Sequence, residues 1–223
     1  MIYILYEEAH KATFTIKGDL HKYIVKVRRH KVGDELYFRS KEDIKTLHKY
    51  EITDVDGRSL EVRLISSTLL EVKSSKNLHI GWCVIDVKSI EKVLPSLNEI
   101  GVSKISFIYC DRSQKNFKLD FNRFERILDA SMEQCGRTST MEFDTYKNID
   151  EFIKEFPKTK VFDFCDTVLE DGGDFETVLI GCEGGFSKNE RELLKSQDIF
   201  RLDTPMVLRS ESAVMAVASK ILL

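Results

Sequence analysis

In the first 70 residues the apolar positions fall in short runs that alternate with polar ones. Met1–Tyr6, Thr13–Ile16, Glu35–Arg39, Thr46–Thr53 and Ser59–Ile65 are each rich in β-branched or aromatic residues. Lys17-Gly18-Asp19, Val32-Gly33-Asp34 and Asp54-Val55-Asp56-Gly57 are turn signals between them. Short strands at this spacing predict a small β-barrel. Residues 66–77 are polar and Ser-rich, which places a domain boundary there and divides the chain into residues 1–70 and 71–223.

From residue 78 the pattern changes. Leu78–Val87 is apolar but for His79 and Asp86 and predicts a buried strand. Ser89–Ile100 carries Ile90, Val93, Leu94, Leu97 and Ile100 at helical spacing and stops at Gly101. Lys104–Cys110 predicts a strand. Asp120–Gly136 predicts a helix with Phe121, Phe124, Ile127, Leu128, Met132 and Cys135 on one face. A short helix over Ile149–Phe156 follows, then strands over Lys160–Cys165 and Glu176–Gly181. Ser187-Lys188-Asn189-Glu190 has the form of a capping box opening a helix to about Ser196. Ile199–Leu202 predicts a strand and Ser210–Leu222 a last helix. Strands alternating with helices predict an α/β domain with a mostly parallel sheet covered on both faces. The last helix has little polar face, since Ala213, Val214, Met215, Ala216, Val217, Ala218, Ile221 and Leu222 surround it. Such a helix is buried on more than one side, either in the domain core or at a subunit interface.

Composition narrows the classes. The chain has 223 residues, 42% hydrophobic, with 3 Pro and 11 Gly, which excludes a disordered or collagen-like polymer. No stretch is long and apolar enough for a membrane span, and Met1–Glu8 lacks the basic start of a secretory signal. The five cysteines are odd in number and none forms a C-x-x-C pair, so neither a disulfide framework nor a zinc site is expected. A reducing cytoplasm is the simplest compartment. The net charge of −3 hides an asymmetry, because the first 70 residues are net basic and the remainder net acidic. The run His21–Lys31 holds five Lys/Arg, two His and no acid. A basic stripe with aromatics suits a phosphate backbone, and equally a solvated face without a ligand.

Two turns carry candidate chemistry. Val178–Ser187 runs from a buried strand through Gly181, Gly184 and Gly185 into a capped helix. Glycines there let backbone N–H groups approach a ligand closely, at a helix N-terminus. The spacing is neither G-x-G-x-x-G nor a P-loop. Glu183 inside the turn disfavours a polyphosphate and favours hydroxyl, amine or cationic groups; a tight β-to-α turn without a ligand is the other reading. The second turn, Leu202–Ala213, places Arg209 and Glu211 beside Ser210, a plausible N-cap of the last helix, as an ion pair or as part of a site.

At these residues the chain resembles a family. Ile180-Gly181-Cys182-Glu183-Gly184-Gly185-Phe186 resembles the IGPEGGF signature of the RsmE-type ribosomal RNA uridine-N3 methyltransferases, members of the SPOUT (trefoil-knot) superfamily. Leu208-Arg209-Ser210-Glu211-Ser212-Ala213 resembles the family's LRTETA segment. Asp111-Arg112-Ser113 resembles its ERS element, Glu133–Arg137 its EQSxR helix end, and His21–Arg28 with Gly33-Asp34 its N-terminal basic pattern. The five matches stand in order and span the chain. Cys182 replaces a Pro, Cys135 a Ser, and Thr140-Met141 a common Leu-Pro pair.

The resemblance implies a C-terminal SPOUT α/β trefoil-knot domain preceded by a PUA-like RNA-binding β-barrel. It implies S-adenosylmethionine as cofactor, held by Leu179, Ile180, Gly181, Glu183, Gly184 and Gly185 and by Leu202, Val207, Leu208 and Arg209. It implies N3 methylation of a uridine in 16S rRNA of the small ribosomal subunit, and a homodimer formed through the C-terminal domain. Arg112 and Arg209 become candidates to stabilise the deprotonated base, with Glu211 or a water as proton acceptor. His21, Lys22, Lys26, Arg28, Arg29 and Lys31 become candidates for RNA backbone contact. The competing reading is a non-catalytic RNA-binding or ribosome-assembly protein that keeps the fold. Intact glycines in the first turn argue against it, and the basic stripe argues against an enzyme of small nucleotides.

Overall fold

The computed structural model describes residues 2–114, 118–170 and 175–223. Met1, where the first expected strand begins, lies outside them. The chain divides into two compact units. The first is Met1–Lys73 with Met132–Ser139, and the second is Ser74–Ser131 with Thr140–Leu223. The sequence pattern had assigned residues 132–139 to the second domain. They join the first because Ile2 N donates to Glu133 O at 2.7 Å, Leu5 N to Glu133 Oε1 at 2.8 Å, and Tyr3 Oη to Arg137 O at 2.7 Å.

The first unit holds β1 (Ile4–Leu5), β2 (Thr13–Lys17), α1 (Gly18–Lys22), β3 (Glu35–Arg39), β4 (Thr46–Val55) and β5 (Ser59–Leu69). They form one mixed, mainly antiparallel sheet in the order β1-β3-β4-β5-β2. Strand period puts Phe14 and Ile16, Leu36 and Phe38, Tyr50 and Ile52, and Leu60 and Val62 into one buried cluster. The ring of Phe14 lies 5.4 Å from Phe38 and 4.9 Å from Tyr50, both edge-on. Register shifts at Lys49/Tyr50 and Ile52/Asp54 bend the long β4–β5 ribbon.

One stretch differs from the all-β expectation. Gly18–Lys22 is helical and continues as a π-turn over Tyr23–Val27. His21 and Ile24, three apart, point inward, and Lys22, Lys26, Arg28, Arg29 and Lys31 are exposed. His21 is therefore removed from the candidate RNA contacts. It is 2% exposed, with Nε2 3.2 Å from Asp56 O.

The second unit holds β6 (His79–Cys83), α2 (Val87–Ile100), β7 (Lys104–Ile108), α3 (Phe121–Cys135, its end in the first unit), β8 (Glu142–Tyr146), α4 (Ile149–Glu155), β9 (Lys160–Phe162), β10 (Thr177–Ile180), α5 (Lys188–Leu193), β11 (Ile199–Phe200) and α6 (Ser210–Leu222). All six strands are parallel, in the order β11-β9-β10-β6-β7-β8. β6 is central and buried at every position, its one polar residue, His79, included. β8 was not expected from the sequence, because only Phe143 and Tyr146 in it are large and apolar. Asp86 caps α2 through Ser89 N at 3.1 Å, and Gly101 ends it at φ 108°, a conformation that favours glycine. Among the described residues no helix is long and apolar enough to cross a membrane.

Candidate functional site

A cleft of about 200 Å³ opens where β9, β10 and β11 end. The C-terminal edge of a parallel sheet is where α/β folds place ligands, since loops diverge there and helices begin. Its floor and walls are Phe162–Phe164 after β9, Ile180–Phe186 after β10, Arg201–Leu208 after β11 in part, and Arg191, Ser210 and Ala213.

The glycine turn is held in shape by a bond within it and by a tether from the start of α6. Gly185 N donates to Cys182 O at 2.9 Å, with Gly185 at φ 63°, where a side chain is strained. Ser210 Oγ donates to Gly181 O at 2.6 Å and accepts from Trp82 Nε1 at 2.8 Å. The hydroxyl expected to cap α6 is thus used on the neighbouring turn. Arg209 is the residue at the cap position, with no side-chain capping bond.

The turn after β7 is moored to the same place. The capping box is present, with Ser187 N donating to Glu190 Oε2 at 2.7 Å and Glu190 N to Ser187 Oγ at 3.2 Å. Its second oxygen, Glu190 Oε1, accepts from Asp111 N at 2.8 Å, and Ser187 Oγ donates to Asp111 Oδ2 at 2.6 Å. Arg112 is thereby laid across the glycine turn, where its Nη1 donates to Gly184 O. A Cβ on Gly184 would sit 3.1 Å from Arg112 Cδ and 3.3 Å from its Cβ, so glycine lets the guanidinium stem pass.

Of the expected cofactor residues, Ile180, Gly181, Glu183, Gly184, Gly185, Leu202, Val207 and Leu208 line the cleft. Leu179 does not: it is fully buried in β10, whose last three residues are all in the core. Arg209 does not line it either, and its side chain is 82% exposed with Nη1 3.9 Å from Glu211 Oε1. Glu211 Oε2 is buried with no hydrogen-bond partner. Arg112 is exposed beside the cleft.

Sequence reasoning missed Asp163 and Arg191. Arg191 Nε and Nη2 donate to the two oxygens of Asp163 at 2.7 and 3.0 Å, a bidentate pair in the cleft wall that pushes the guanidinium further above its ordinary range. Asp163 was findable as the polar residue directly after the apolar pair Val161-Phe162 of a parallel strand. Arg191 carried no such signal, since it lies inside a short helix. Phe164 and Met206, 71% and 67% exposed, also line the cleft. Cys182, in the wall, has its sulfur 3.6 Å from that of Cys110. Among the described residues no cluster of His, Cys, Asp and Glu is arranged to hold a metal ion.

In the first unit Lys22 pairs with Asp19 at 2.8 Å, and Arg29 adopts φ 61°, unusual for a side chain. Arg28 lines a small groove with Ile2, His30, Glu35 and Tyr37.

Comparison with known proteins agrees with this geometry. Residues 72–222 match the RNA methyltransferase domain family. The chain is 40% identical over 223 residues to the ribosomal RNA small subunit methyltransferase E of Helicobacter pylori, covering 98% of each. A methyltransferase from Legionella pneumophila, solved in complex with the cofactor SAM, superposes with a TM-score of 0.76 at 21% identity, covering 98% of this chain and 95% of that one. The ribosomal RNA small subunit methyltransferase E of Neisseria gonorrhoeae, bound to S-adenosyl methionine, superposes at 0.74 with 16% identity, covering 98% and 95%. A glycine turn crossed by an arginine at the end of a parallel sheet, together with these matches, places the chain in the ribosomal RNA small subunit methyltransferase E family, as an RNA methyltransferase.

Proposed function

We propose that the protein methylates N3 of a uridine in 16S rRNA of the small ribosomal subunit, with S-adenosylmethionine as donor. The observation that carries the reading is the cleft whose glycine turn is crossed by Arg112.

The residues present fit the cofactor. Ile180, Leu202 and Leu208 offer apolar surface for an adenine. In the turn 181–185 three glycines leave the main chain uncovered by side chains, and those of its groups not already bonded to Ser210, to Arg112 or within the turn can meet hydroxyl and amine groups. Glu183 and the Asp163–Arg191 pair bring acidic oxygens suited to a cationic ligand with ribose hydroxyls. When bound, the cofactor supplies an electrophilic methyl group on a sulfonium.

N3 of uridine lies on the Watson–Crick edge, so the base enters unpaired. Removing its imide proton leaves negative charge on the two carbonyl oxygens. Arg112, fixed by its bond to Gly184 O, and Arg209, exposed at the start of α6, donate to those oxygens. Glu211, beside Arg209, or a water accepts the proton. The exposed Lys22, Lys26, Arg28, Arg29 and Lys31 of the first unit, a PUA-like module, grip phosphates. We also infer a SPOUT knot in the second unit. The homodimer forms through α6, whose Met215, Ala216 and Leu222 stay half-buried within one chain. An rRNA substrate and five cysteines outside any disulfide fit a reducing cytoplasm.

The test is incubation with S-adenosylmethionine and small subunits lacking the modification, followed by nucleoside mass spectrometry of the digested RNA. Appearance of 3-methyluridine supports the assignment. Cofactor binding without that nucleoside refutes the N3 product, and no cofactor binding favours the non-catalytic reading.

A further inference from the structure

Three of the five cysteines meet where the strands end. Cys83 is the last residue of β6, Cys110 lies two past β7, and Cys182 two past β10. β6 lies between β10 and β7, and the two loops converge beyond it. Cys110 Sγ and Cys182 Sγ are 3.6 Å apart, and the Cys83 thiol, pushed up mainly by its burial, is near enough to Cys110 to be raised by it as well. All are free thiols. Cys110 is buried, whereas Cys182 is 6% exposed and forms part of the cleft wall. A disulfide needs sulfurs about 2.05 Å apart, so the pair must close by about 1.5 Å.

We propose that Cys110 and Cys182 are a redox modification site, in which a peroxide entering the cleft joins them as an intrachain disulfide that draws the two turns together and weakens cofactor binding. Only the last step rests on the cleft being the S-adenosylmethionine site. With hydrogen peroxide, the Cys182 sulfur attacks one oxygen. The O–O bond breaks, an S–O bond forms, and water leaves. Cys110 sulfur then attacks the Cys182 sulfur, the S–O bond breaks, and the second oxygen leaves as water while the S–S bond forms. The two thiols give up two electrons and two protons, and the peroxide takes up both.

The close contact favours the chemistry. A hydrogen bond between the two sulfurs holds the Cys110 thiol well below the ordinary thiol range and pushes the Cys182 thiol up, so the pair gives up its first proton readily and the Cys182 sulfur, which faces the cleft, attacks as its own proton passes along that bond to Cys110. The consequence follows from connectivity. Arg112 is two residues from Cys110, Gly184 is two from Cys182, and these residues hydrogen-bond across the site. Moving the sulfurs moves both partners and narrows the turn that faces the cleft.

The reduced full-length protein is exposed to one equivalent of hydrogen peroxide, alkylated, digested and mapped by mass spectrometry. A linked Cys110–Cys182 peptide pair that dithiothreitol releases is expected. A Cys83–Cys110 link, or over-oxidised Cys182 with Cys110 still alkylated, overturns the pairing. Calorimetric titration with S-adenosylmethionine is expected to give a Kd raised by about tenfold or more in the disulfide form and restored on reduction. A mapped disulfide with unchanged Kd overturns the effect on binding. Titration of the untreated reduced protein separately tests the cofactor assignment, so the two readings fail independently. In Cys110→Ser the ratio of Kd values before and after peroxide is expected to fall to about one. In Cys165→Ser, which alters a cysteine outside the cluster, the ratio persists, and the opposite pattern refutes the site.

Discussion

Ser210→Ala isolates the hydroxyl that ties the start of α6 to the glycine turn. The side chain donates to Gly181 O at 2.6 Å and accepts from Trp82 Nε1 at 2.8 Å. Trp82 is fully buried on the central strand, so its N–H would lose this partner where water does not reach. An unpaired buried donor costs about 1–3 kcal/mol. Gly181 is only half-buried and water can replace part of its bond, so the whole substitution is expected to cost about 2–3 kcal/mol. For a chain of this size that lowers Tm by about 5–10 °C. Trp82 is the single tryptophan, so its emission during urea unfolding follows the second unit. The released turn also loses its tether, and weaker S-adenosylmethionine binding is expected alongside the stability loss. Trp82→Phe removes the stranded donor. The double variant should therefore be more stable than the two single losses imply, by at least about 1 kcal/mol, as measured by circular dichroism. A Ser210→Ala midpoint within about 0.5 kcal/mol of the parent, or strict additivity in the cycle, would refute the argument.

Gly184→Val puts a branched side chain where a Cβ already lies 3.1 Å from Arg112 Cδ. Cofactor affinity should drop by about tenfold or more with the circular dichroism spectrum retained; unchanged calorimetric Kd would remove the turn from the binding site. Arg28→Glu with Arg29→Glu reverses two exposed charges, and the slope of log affinity for rRNA against log salt should fall by about 1–2 units in filter binding. An unchanged slope would place the RNA grip elsewhere. His79 is buried between Phe152 and Phe156, with Nε2 2.7 Å from Ser106 Oγ, and desolvation together with Lys104 holds it down at about 4. A histidine depressed in the folded state is neutral there while the unfolded chain takes up a proton. Stability is therefore full above about pH 6.5 and falls as pH drops toward 4, by about 2 kcal/mol at pH 5. His79→Gln should flatten that fall between pH 7 and 5 in urea titrations, and an equally steep fall would assign it to another group.

Much of the fold was legible because it rests on local periodicity. Glu35–Arg39 and Ser210–Leu222 have the boundaries their patterns dictate, and Ser187 with Glu190 forms the expected capping box. Where the pattern was weak it failed. β8 has too few apolar residues to announce itself, and Gly18–Val27 carries a turn signal and a basic run that hid a helix. His21 was counted among the basic residues by its type and proved to be core by its phase.

The sequence by itself determined the alternation of strands and helices, the buried central strand, the glycine turn that opens a capped helix, and the exposed face of five Lys/Arg. These depend on residues close together in the chain, whose spacing sets which face is buried. Tertiary structure alone decided what crosses that turn. Arg112 meets Gly184 across 72 residues, Trp82 meets Ser210 across 128, and Arg191 meets Asp163 across 28. Those meetings follow from the strand order β11-β9-β10-β6-β7-β8, which sets the loops after β7, β9 and β10 beside one another. Strand order is fixed by packing over the whole domain, a balance of burial and chain connectivity that no local spacing encodes.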